Sequence, residues 1–175
     1  MIFDAGAPVR AVLRELAGRT PASILLTHEH FDHIYYIAKY SEAFPNCPVY
    51  CHPATLEELK TGEFNTRAGY PVAPPASLKN FHALTDNQTV LNIKAIFAPG
   101  HSEGSIVYLV DADLFTGDVL FRNTIGRTDL IPNGPARMQT TLRRLQPLTY
   151  KTAHHGHGAP STHAEQQQNI AQHIE

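Results

Sequence analysis

Tryptophan is absent from the 175-residue sequence, and cysteine occurs only twice, at Cys47 and Cys51. Two cysteines cannot form the disulfide framework that stabilises many small secreted domains. Both lie in the segment Cys-Pro-Val-Tyr-Cys-His-Pro, which is typical of a short strand bounded by prolines, with Cys51 as a small buried residue. Because no leader-like segment precedes the first apolar residues either, we expect a cytoplasmic protein.

Long apolar runs and clusters of basic residues are also missing. The longest apolar stretches, such as residues 105–110, are too short to cross a bilayer. The 14 Lys and Arg residues include no run of five or more, and the formal net charge is −2. We therefore expect neither a membrane nor a nucleic acid as partner. The length is that of about one domain, so we predict a single domain over residues 1–175.

Histidine is in excess, with 11 copies, and imidazole is the commonest metal ligand in proteins. Four candidate ligands lie in one segment, Thr-His-Glu-His-Phe-Asp-His at residues 27–33. Side chains two apart in an extended segment point the same way, so His28 and His30 can bind one ion. Asp32 and His33 are adjacent where the chain bends into a helix, and both can turn toward a second ion. This segment therefore predicts metal binding.

Three later turns supply further candidate ligands. Pro-Gly-His-Ser contains His101, Thr-Gly-Asp contains Asp118, and Gly-His-Gly contains His157. Each turn follows a predicted strand, and α/β proteins place their sites at strand ends. Glycine in each turn lets the backbone bend sharply. His154 and His155, just before the third turn, remain alternatives to His157.

Apolar spacing predicts alternating strands and helices. Strands are predicted at residues 2–3, 24–26, 49–51, 90–98, 105–110, 114–116 and 148–152. Helices are predicted after Pro8 with a buried stripe of Val9, Val12, Leu13 and Leu16, over residues 34–44, from Pro53 to Gly62, around residues 138–145, and after a capping box at Thr162. Residues 65–80 contain three prolines and little periodicity, which predicts an irregular surface loop of the kind that often covers a substrate.

The four motifs, in this order, resemble those of the metallo-β-lactamase superfamily. The resemblance covers nearly the whole chain and implies a four-layer αβ/βα sandwich of two mixed β-sheets flanked by helices. It also implies a first metal on His28, His30 and His101, a second on Asp32, His33 and His157, and Asp118 as the bridge. Asp4, at the position of an early Asp-x-Gly motif, would orient the ligands.

The segment Leu-Phe-x-x-x-Ile-Gly-Arg-Thr-Asp-Leu at residues 120–130 resembles the glyoxalase II-like branch, whose members are typically thioester hydrolases. The resemblance implies hydrolysis of a small-molecule thioester by a metal-bridging hydroxide, with Asp32 holding the water that protonates the leaving thiolate. Arg127 lies near the group's basic substrate contact, although an ion pair with Asp129 explains it equally well. Nitrogen and oxygen ligands favour two zinc ions, and iron or manganese also fits.

Two departures from the family keep other functions open. Relatives usually carry two or three earlier strands, so we expect an incomplete sheet whose free edge promotes self-association into a homo-oligomer or lowers stability. The chain also stops soon after the helix that Thr162 opens, without the helical substrate domain of the glutathione thioesterases. One alternative is a mononuclear iron dioxygenase of the same fold that acts on glutathione persulfide. The other is a noncatalytic metal-binding relative.

Overall fold

The computed structural model describes residues 1–174. The chain divides into two compact units, the first ending at Leu84 and the second beginning at Thr85. Each unit contains one β-sheet flanked by helices, in agreement with the α/β fold predicted from the sequence. Among the described residues, no helix is long and apolar enough to span a membrane.

The first unit alternates strands with helices. Its strands are β1 (Ile2–Phe3), β2 (Ile24–Leu25), β3 (Val49–Cys51) and β4 (Phe81–Ala83), and its helices are α1 (Val9–Leu16), α2 (Phe31–Ile34), α3 (Ile37–Ala43), α4 (Pro53–Thr61) and α5 (Glu63–Arg67). The strands pair in the order β1-β2-β3-β4. All three pairings are parallel, where a mixed sheet was expected. The wholly apolar sequence of β2 suits this arrangement, because helices cover both faces of most parallel sheets.

Local sequence explains where the helices of the first unit begin and end. Pro53 occupies the first turn of α4, whose N-cap His52 accepts a hydrogen bond from the amide of Ala54, and Gly62 ends the helix in the left-handed conformation. The helix predicted over residues 34–44 corresponds to α3 and is preceded by the separate short helix α2, and α5 occupies the start of the loop predicted at 65–80. The prediction that Leu13 is buried was wrong, since its side chain is 48% exposed.

The second unit contains a mixed sheet. Its elements are β5 (Thr89–Val90), β6 (Ile93–Phe97), β7 (Ile106–Val110), β8 (Asp113–Gly117), α6 (Gly134–Leu145), β9 (Thr152–His155), β10 (Ser161–Thr162) and α7 (His163–His173). The strand order is β10-β9-β8-β7-β6-β5. Only the β8 and β9 pair is parallel among these described strands.

Two strand predictions in this unit need correction. The single strand predicted over residues 90–98 is a hairpin, because Leu91 and Asn92 both adopt positive φ and turn the chain between β5 and β6. The strand predicted over residues 148–152 begins only at Thr152, which pairs with Asp113. The apolar side chain of Leu148 packs against the core of the unit from a turn, so its hydrophobicity did not indicate a strand.

Each unit has its own apolar core. In the first unit Tyr40 and Ile37 from α3 pack with Cys51 from β3, which is fully buried as predicted. In the second unit α6 buries Met138, Thr141, Leu142 and Leu145, the four residues whose spacing predicted this helix. The predicted capping box of α7 is also confirmed: the Thr162 side chain accepts from the Glu165 amide, and the Glu165 carboxylate accepts from the Thr162 amide.

Two tyrosines provide a test of these cores. The Tyr40 hydroxyl donates to the carbonyl of Ala7 over 3.0 Å, whereas the buried Tyr150 hydroxyl has no hydrogen-bond partner among the described residues. A satisfied buried hydrogen bond contributes about 1 kcal/mol, and an unsatisfied group lowers stability. We expect Tyr40→Phe to lower the free energy of unfolding by about 1 kcal/mol, and Tyr150→Phe to leave it unchanged or raise it.

Urea denaturation at neutral pH measures both effects. Burial raises the pKa of each phenol from 10.0 to about 12. The folded state therefore favours the neutral phenols, and stability should fall as pH rises from 10 toward 12. Each Phe variant should lose part of that dependence. Equal destabilisation by Tyr40→Phe and Tyr150→Phe would contradict the difference in hydrogen bonding between the two hydroxyls.

Candidate metal centre

Residues 27–33, here called the ligand loop, bring the predicted ligands of the first unit together. The loop follows β2, and its last three residues enter α2. His28, His30 and His33 are buried, with ring centroids 4.6 Å apart for His28 and His30 and 4.1 Å apart for His28 and His33. The Asp32 carboxylate is 3.8 Å from Nε2 of His33 and remains 37% exposed. The arrangement joins three imidazoles and a carboxylate within one short segment.

Asp4 and Thr27 fix the proton positions of two of these imidazoles. Asp4 Oδ1 accepts from the Thr27 amide over 2.6 Å, and Oδ2 accepts from the Thr27 hydroxyl over 2.8 Å and from Nδ1 of His33 over 2.7 Å. Because the Thr27 hydroxyl gives its proton to Asp4, its oxygen accepts from Nδ1 of His28 over 3.0 Å. Both imidazoles therefore carry their proton on Nδ1, and Nε2 retains the lone pair that a metal requires.

The turn that carries Asp4 also packs directly against the ligand loop. The Ala5 amide donates to the carbonyl of His33 over 2.6 Å. A Cβ atom on Gly6 would lie 1.9 Å from the carbonyl oxygen of Asp32, so only glycine permits this approach. The Asp-Ala-Gly sequence thus combines an orienting carboxylate with close backbone contact.

The three turns of the second unit gather the other predicted ligands. Nε2 of His101 lies 3.8 Å from Oδ2 of Asp118, and Nε2 of His157 lies 3.5 Å from the same oxygen. His101 is buried, and its Nδ1 donates to the carbonyl of Arg127 over 3.1 Å, which again leaves Nε2 with the lone pair. Gly100 turns the chain with φ 147°, where a Cβ would lie 2.7 Å from Cα of Met138.

The contacts of His157 differ from those of the two alternative ligands, His154 and His155. His155 uses Nδ1 with the Thr116 hydroxyl and Nε2 with the Ser161 hydroxyl, both at 2.9 Å. His154 stacks on Phe115 and places Nε2 3.0 Å from the Asp113 carboxylate. His157, which is 56% exposed, faces Asp118. Of the three candidates, His157 has the geometry of a ligand.

The distances within each unit fit a metal site. A protonated imidazole nitrogen that donates to a carboxylate oxygen normally lies about 2.7–2.9 Å from it. The pairs around Asp32 and Asp118 lie 3.5–3.8 Å apart instead. Two ligand atoms bound to one tetrahedral ion at about 2.0–2.1 Å each are roughly 3.3 Å apart. The donor set of imidazole nitrogens and carboxylate oxygens therefore suits a divalent cation in both spacing and chemistry.

Arg127, the predicted substrate contact, forms a bidentate ion pair with Asp129. Its Nε and Nη2 atoms lie 2.7 and 2.6 Å from the two carboxylate oxygens. Hydrogen bonding to the guanidinium lowers the pKa of Asp129 to about 2. The pair is exposed to solvent, so it does not exclude a second anionic partner at Arg127. A role in substrate binding remains a prediction.

This chain belongs to the metallo-β-lactamase superfamily, which it matches over residues 1–157. The resemblance seen in the sequence is thereby confirmed. Among its relatives, the probable metallo-hydrolase YqgX of Bacillus subtilis (strain 168) is 37% identical over 182 residues, covering 97% of this chain and 85% of that protein. The hydroxyacylglutathione hydrolase of Yersinia pestis (strain Pestoides F) is 32% identical over 154 residues, covering 87% of this chain. This chain matches only 54% of that enzyme's length.

Solved structures agree on the fold. A di-iron-bound form of TTHA1623 superposes with a TM-score of 0.82 at 31% identity, covering 95% of this chain and 86% of that one. The B3 metallo-β-lactamase BLEG-1 superposes with a TM-score of 0.78 at 30% identity, covering 95% and 84%. Together with the grouped His and Asp side chains, these similarities define a metallo-hydrolase-like protein of the metallo-β-lactamase fold.

Thr27 connects two candidate site residues, a contact that the sequence did not predict. It begins the ligand loop, and its hydroxyl connects Asp4 to His28. Threonine at the end of a strand is common, so its identity alone gives no signal. Only the nearness of Asp4, 23 positions away in sequence, reveals its role.

The proton positions can be tested without any metal. In Asp4→Asn one acceptor oxygen becomes an NH2 donor that faces another donor, so the hydrogen bonds to Thr27 and His33 cannot all persist. We expect the free energy of unfolding to fall by about 1–3 kcal/mol and His33 to lose its strong preference for the Nδ1-protonated form. Imidazole nitrogen chemical shifts of metal-free protein at about pH 8, well above the ordinary imidazole pKa, report this preference.

Asp113→Asn is the matched control, because the Asp113 carboxylate also contacts a histidine ring, through Nε2 of His154, but lies in the second unit. It should change the ring signals of His154 alone. Unchanged ring signals for His33 in Asp4→Asn would refute the assigned tautomer.

Proposed function

We propose that this chain is a metal-dependent thioester hydrolase with two divalent ions. The observation that carries the proposal is that His28, His33 and His101 all have Nδ1 bonded to an oxygen, which places the lone pair on Nε2, the atom that would bind a metal ion. Such second bonds accompany nearly all histidine ligands of protein metal sites. Superfamily membership supports the same conclusion.

The proposed ligand assignment follows the family resemblance. The first metal would be held by His28, His30 and His101, the second by Asp32, His33 and His157, and Asp118 would bridge the two. When bound, such a metal pair lowers the pKa of water toward neutrality and polarises a carbonyl group. Zinc suits the nitrogen and oxygen donors, and iron or manganese would also suit them.

The proposed substrate is a small-molecule thioester. A hydroxyacylglutathione hydrolase is among the relatives at 32% identity, and the Gly126-Arg127 segment matches that branch. In the reaction, water adds its oxygen to the carbonyl carbon, and the C–S bond breaks with its electron pair passing to sulfur. The products are a carboxylate and a thiol.

Asp32 is the proposed proton carrier in this reaction. Its carboxylate is partly exposed and lies beside His33, so it can hold a water molecule at an oxygen that solvent and substrate both reach. One of the two protons that the attacking water loses would pass through the water held at this carboxylate to the departing thiolate, and the other would be released to solvent. Arg127 would attract an anionic part of the substrate at the surface.

Asp118→Ala tests the bridging role. Removing both carboxylate oxygens should release at least one metal ion per chain and lower kcat/KM for thioesters by about 100-fold or more. The measurements are elemental analysis of the purified protein and turnover of a panel that contains short-chain, aromatic and glutathione thioesters and a β-lactam. His82→Ala, which changes an exposed histidine on β4, is the control and should leave both properties unchanged.

The same measurements separate the alternatives. Two metals with thioester turnover support the proposal, whereas one iron per chain with oxygen consumption on glutathione persulfide would indicate a dioxygenase. Turnover of the β-lactam alone would assign the protein to the activity named for BLEG-1. Metal uptake without turnover of any of these substrates would indicate a noncatalytic relative. Full metal content in Asp118→Ala would remove Asp118 from the ligand set.

A further inference from the structure

Residues 63–70, here called the α5 clamp, hold three consecutive residues of the ligand loop. The side chain of Asn65 bonds to the backbone of Glu29. Phe64 stacks on His30, and Tyr70 stacks on Phe31. The clamp begins thirty positions beyond the end of the loop in sequence. Neither the family motifs nor the proposed reaction assigns it a role.

A buried carboxylate fixes the clamp itself. Glu58, near the end of α4, accepts hydrogen bonds from the amides of Phe64 and Asn65 over 3.0 and 2.9 Å and from Nδ2 of Asn65 over 2.9 Å. Amides in the first turn of a helix have no partner within the helix, so this carboxylate supplies one. Asn65 is thereby held in a single orientation, with its side chain fully enclosed.

From that position Asn65 reaches the ligand loop. Its Nδ2 also donates to the carbonyl oxygen of Glu29 over 2.8 Å. Glu29 lies between the two histidines of the His-x-His motif, so this bond fixes the peptide plane that joins Glu29 to His30. The Glu29 side chain is buried and accepts from the Thr55 hydroxyl of α4 over 3.3 Å, which holds the same residue from its other end.

Aromatic contacts restrain the next two side chains of the ligand loop, those of His30 and Phe31. The Phe64 ring lies against the His30 imidazole at a centroid distance of 5.2 Å and an interplanar angle of 16°. The Tyr70 ring lies against Phe31 at 4.1 Å and 8°. Stacking on a flat ring limits rotation of the imidazole about χ2, the angle that aims Nε2.

We propose that Asn65 is a positioning residue that, with Phe64, presets the ring of His30 for metal binding. The inference rests on the proposed metal site. His28 and His33 are oriented by Asp4 and Thr27, and the α5 clamp provides the corresponding restraint for the remaining histidine of the loop. A ligand that is already aimed gives tighter binding, because less conformational freedom is lost when the metal enters.

Metal affinity and ligand geometry distinguish this role from ordinary packing. Asn65→Ala should bind Zn²⁺ about 10–100-fold more weakly than the wild-type chain, in competition with a chromophoric chelator. The visible absorption of the Co²⁺-loaded protein, which reports the arrangement of ligands, should change in position or intensity. Thermal unfolding of the metal-free proteins measures the purely structural cost.

Asn80→Ala is the matched control. Asn80 lies in the same unit, and its Nδ2 likewise donates to a backbone carbonyl, that of Pro45, over 2.5 Å. It makes no contact with the ligand loop among the described hydrogen bonds, so its loss should lower the unfolding temperature without changing Zn²⁺ affinity or the Co²⁺ spectrum.

Phe64→Leu provides a second variant in case Asn65→Ala does not fold. It keeps an apolar side chain but removes the flat ring beneath His30, so the Co²⁺ spectrum should change and Zn²⁺ affinity should fall. Wild-type affinity and an unaltered spectrum in a folded variant would overturn the clamp inference while leaving the proposed hydrolase intact. Failure of the wild-type chain to bind Zn²⁺ or Co²⁺ would overturn both.

Discussion

The carboxylate of Asp4 and its three short hydrogen bonds form the constraint on which the ligand loop depends. They join the end of β1 to both ends of the loop, the amide and hydroxyl of Thr27 at one end and the imidazole of His33 at the other. Asp4 adopts a positive φ of 60°, a conformation that costs free energy for most side chains but that aspartate tolerates. The two-residue strand β1 therefore matters mainly because it positions the Asp4 side chain, which follows it.

The second unit reaches a similar result through strand pairing. Parallel pairing of β8 with β9 sets Gly117 opposite His155, so the residues that follow both strands leave the sheet at the same edge. Asp118 comes one residue later on the first strand, and His157 two residues later on the second. This register explains why Asp118 and His157 face each other although 39 positions separate them, and why His154 and His155 bond within the sheet instead.

The sequence was most informative where one local pattern determines structure. The spacing of Met138, Thr141, Leu142 and Leu145 predicted α6 because a helix of that length must bury one face. The motifs at the strand ends predicted the grouping of ligands within each unit, since few other chemistries place three histidines and an aspartate so close together. The predictions of a buried Leu13 and of a strand at Leu148 were wrong, because hydrophobicity does not reveal which apolar side chains a neighbouring element will cover.

The side chains that restrain the candidate ligands could not be predicted from the sequence, for a different reason. Thr27 and Asn65 act through hydrogen bonds to Asp4 and Glu29, partners 23 and 36 positions away, and neither residue type marks such a role. Their contribution becomes visible only when distances are known. The same limit applies to the parallel pairing of β8 with β9, because the intervening helix α6 gives no indication of the register of the two strands.

The α5 clamp has a consequence for how such a chain can diverge. Asn65 secures the ligand loop before the proline-containing segment at 71–80 begins, so changes in the length or composition of that segment act downstream of the anchor. Insertions are tolerated best in exposed, irregular segments of this kind. Changes in that segment would therefore remodel one stretch of surface without altering the hydrogen bond from Asn65 to Glu29.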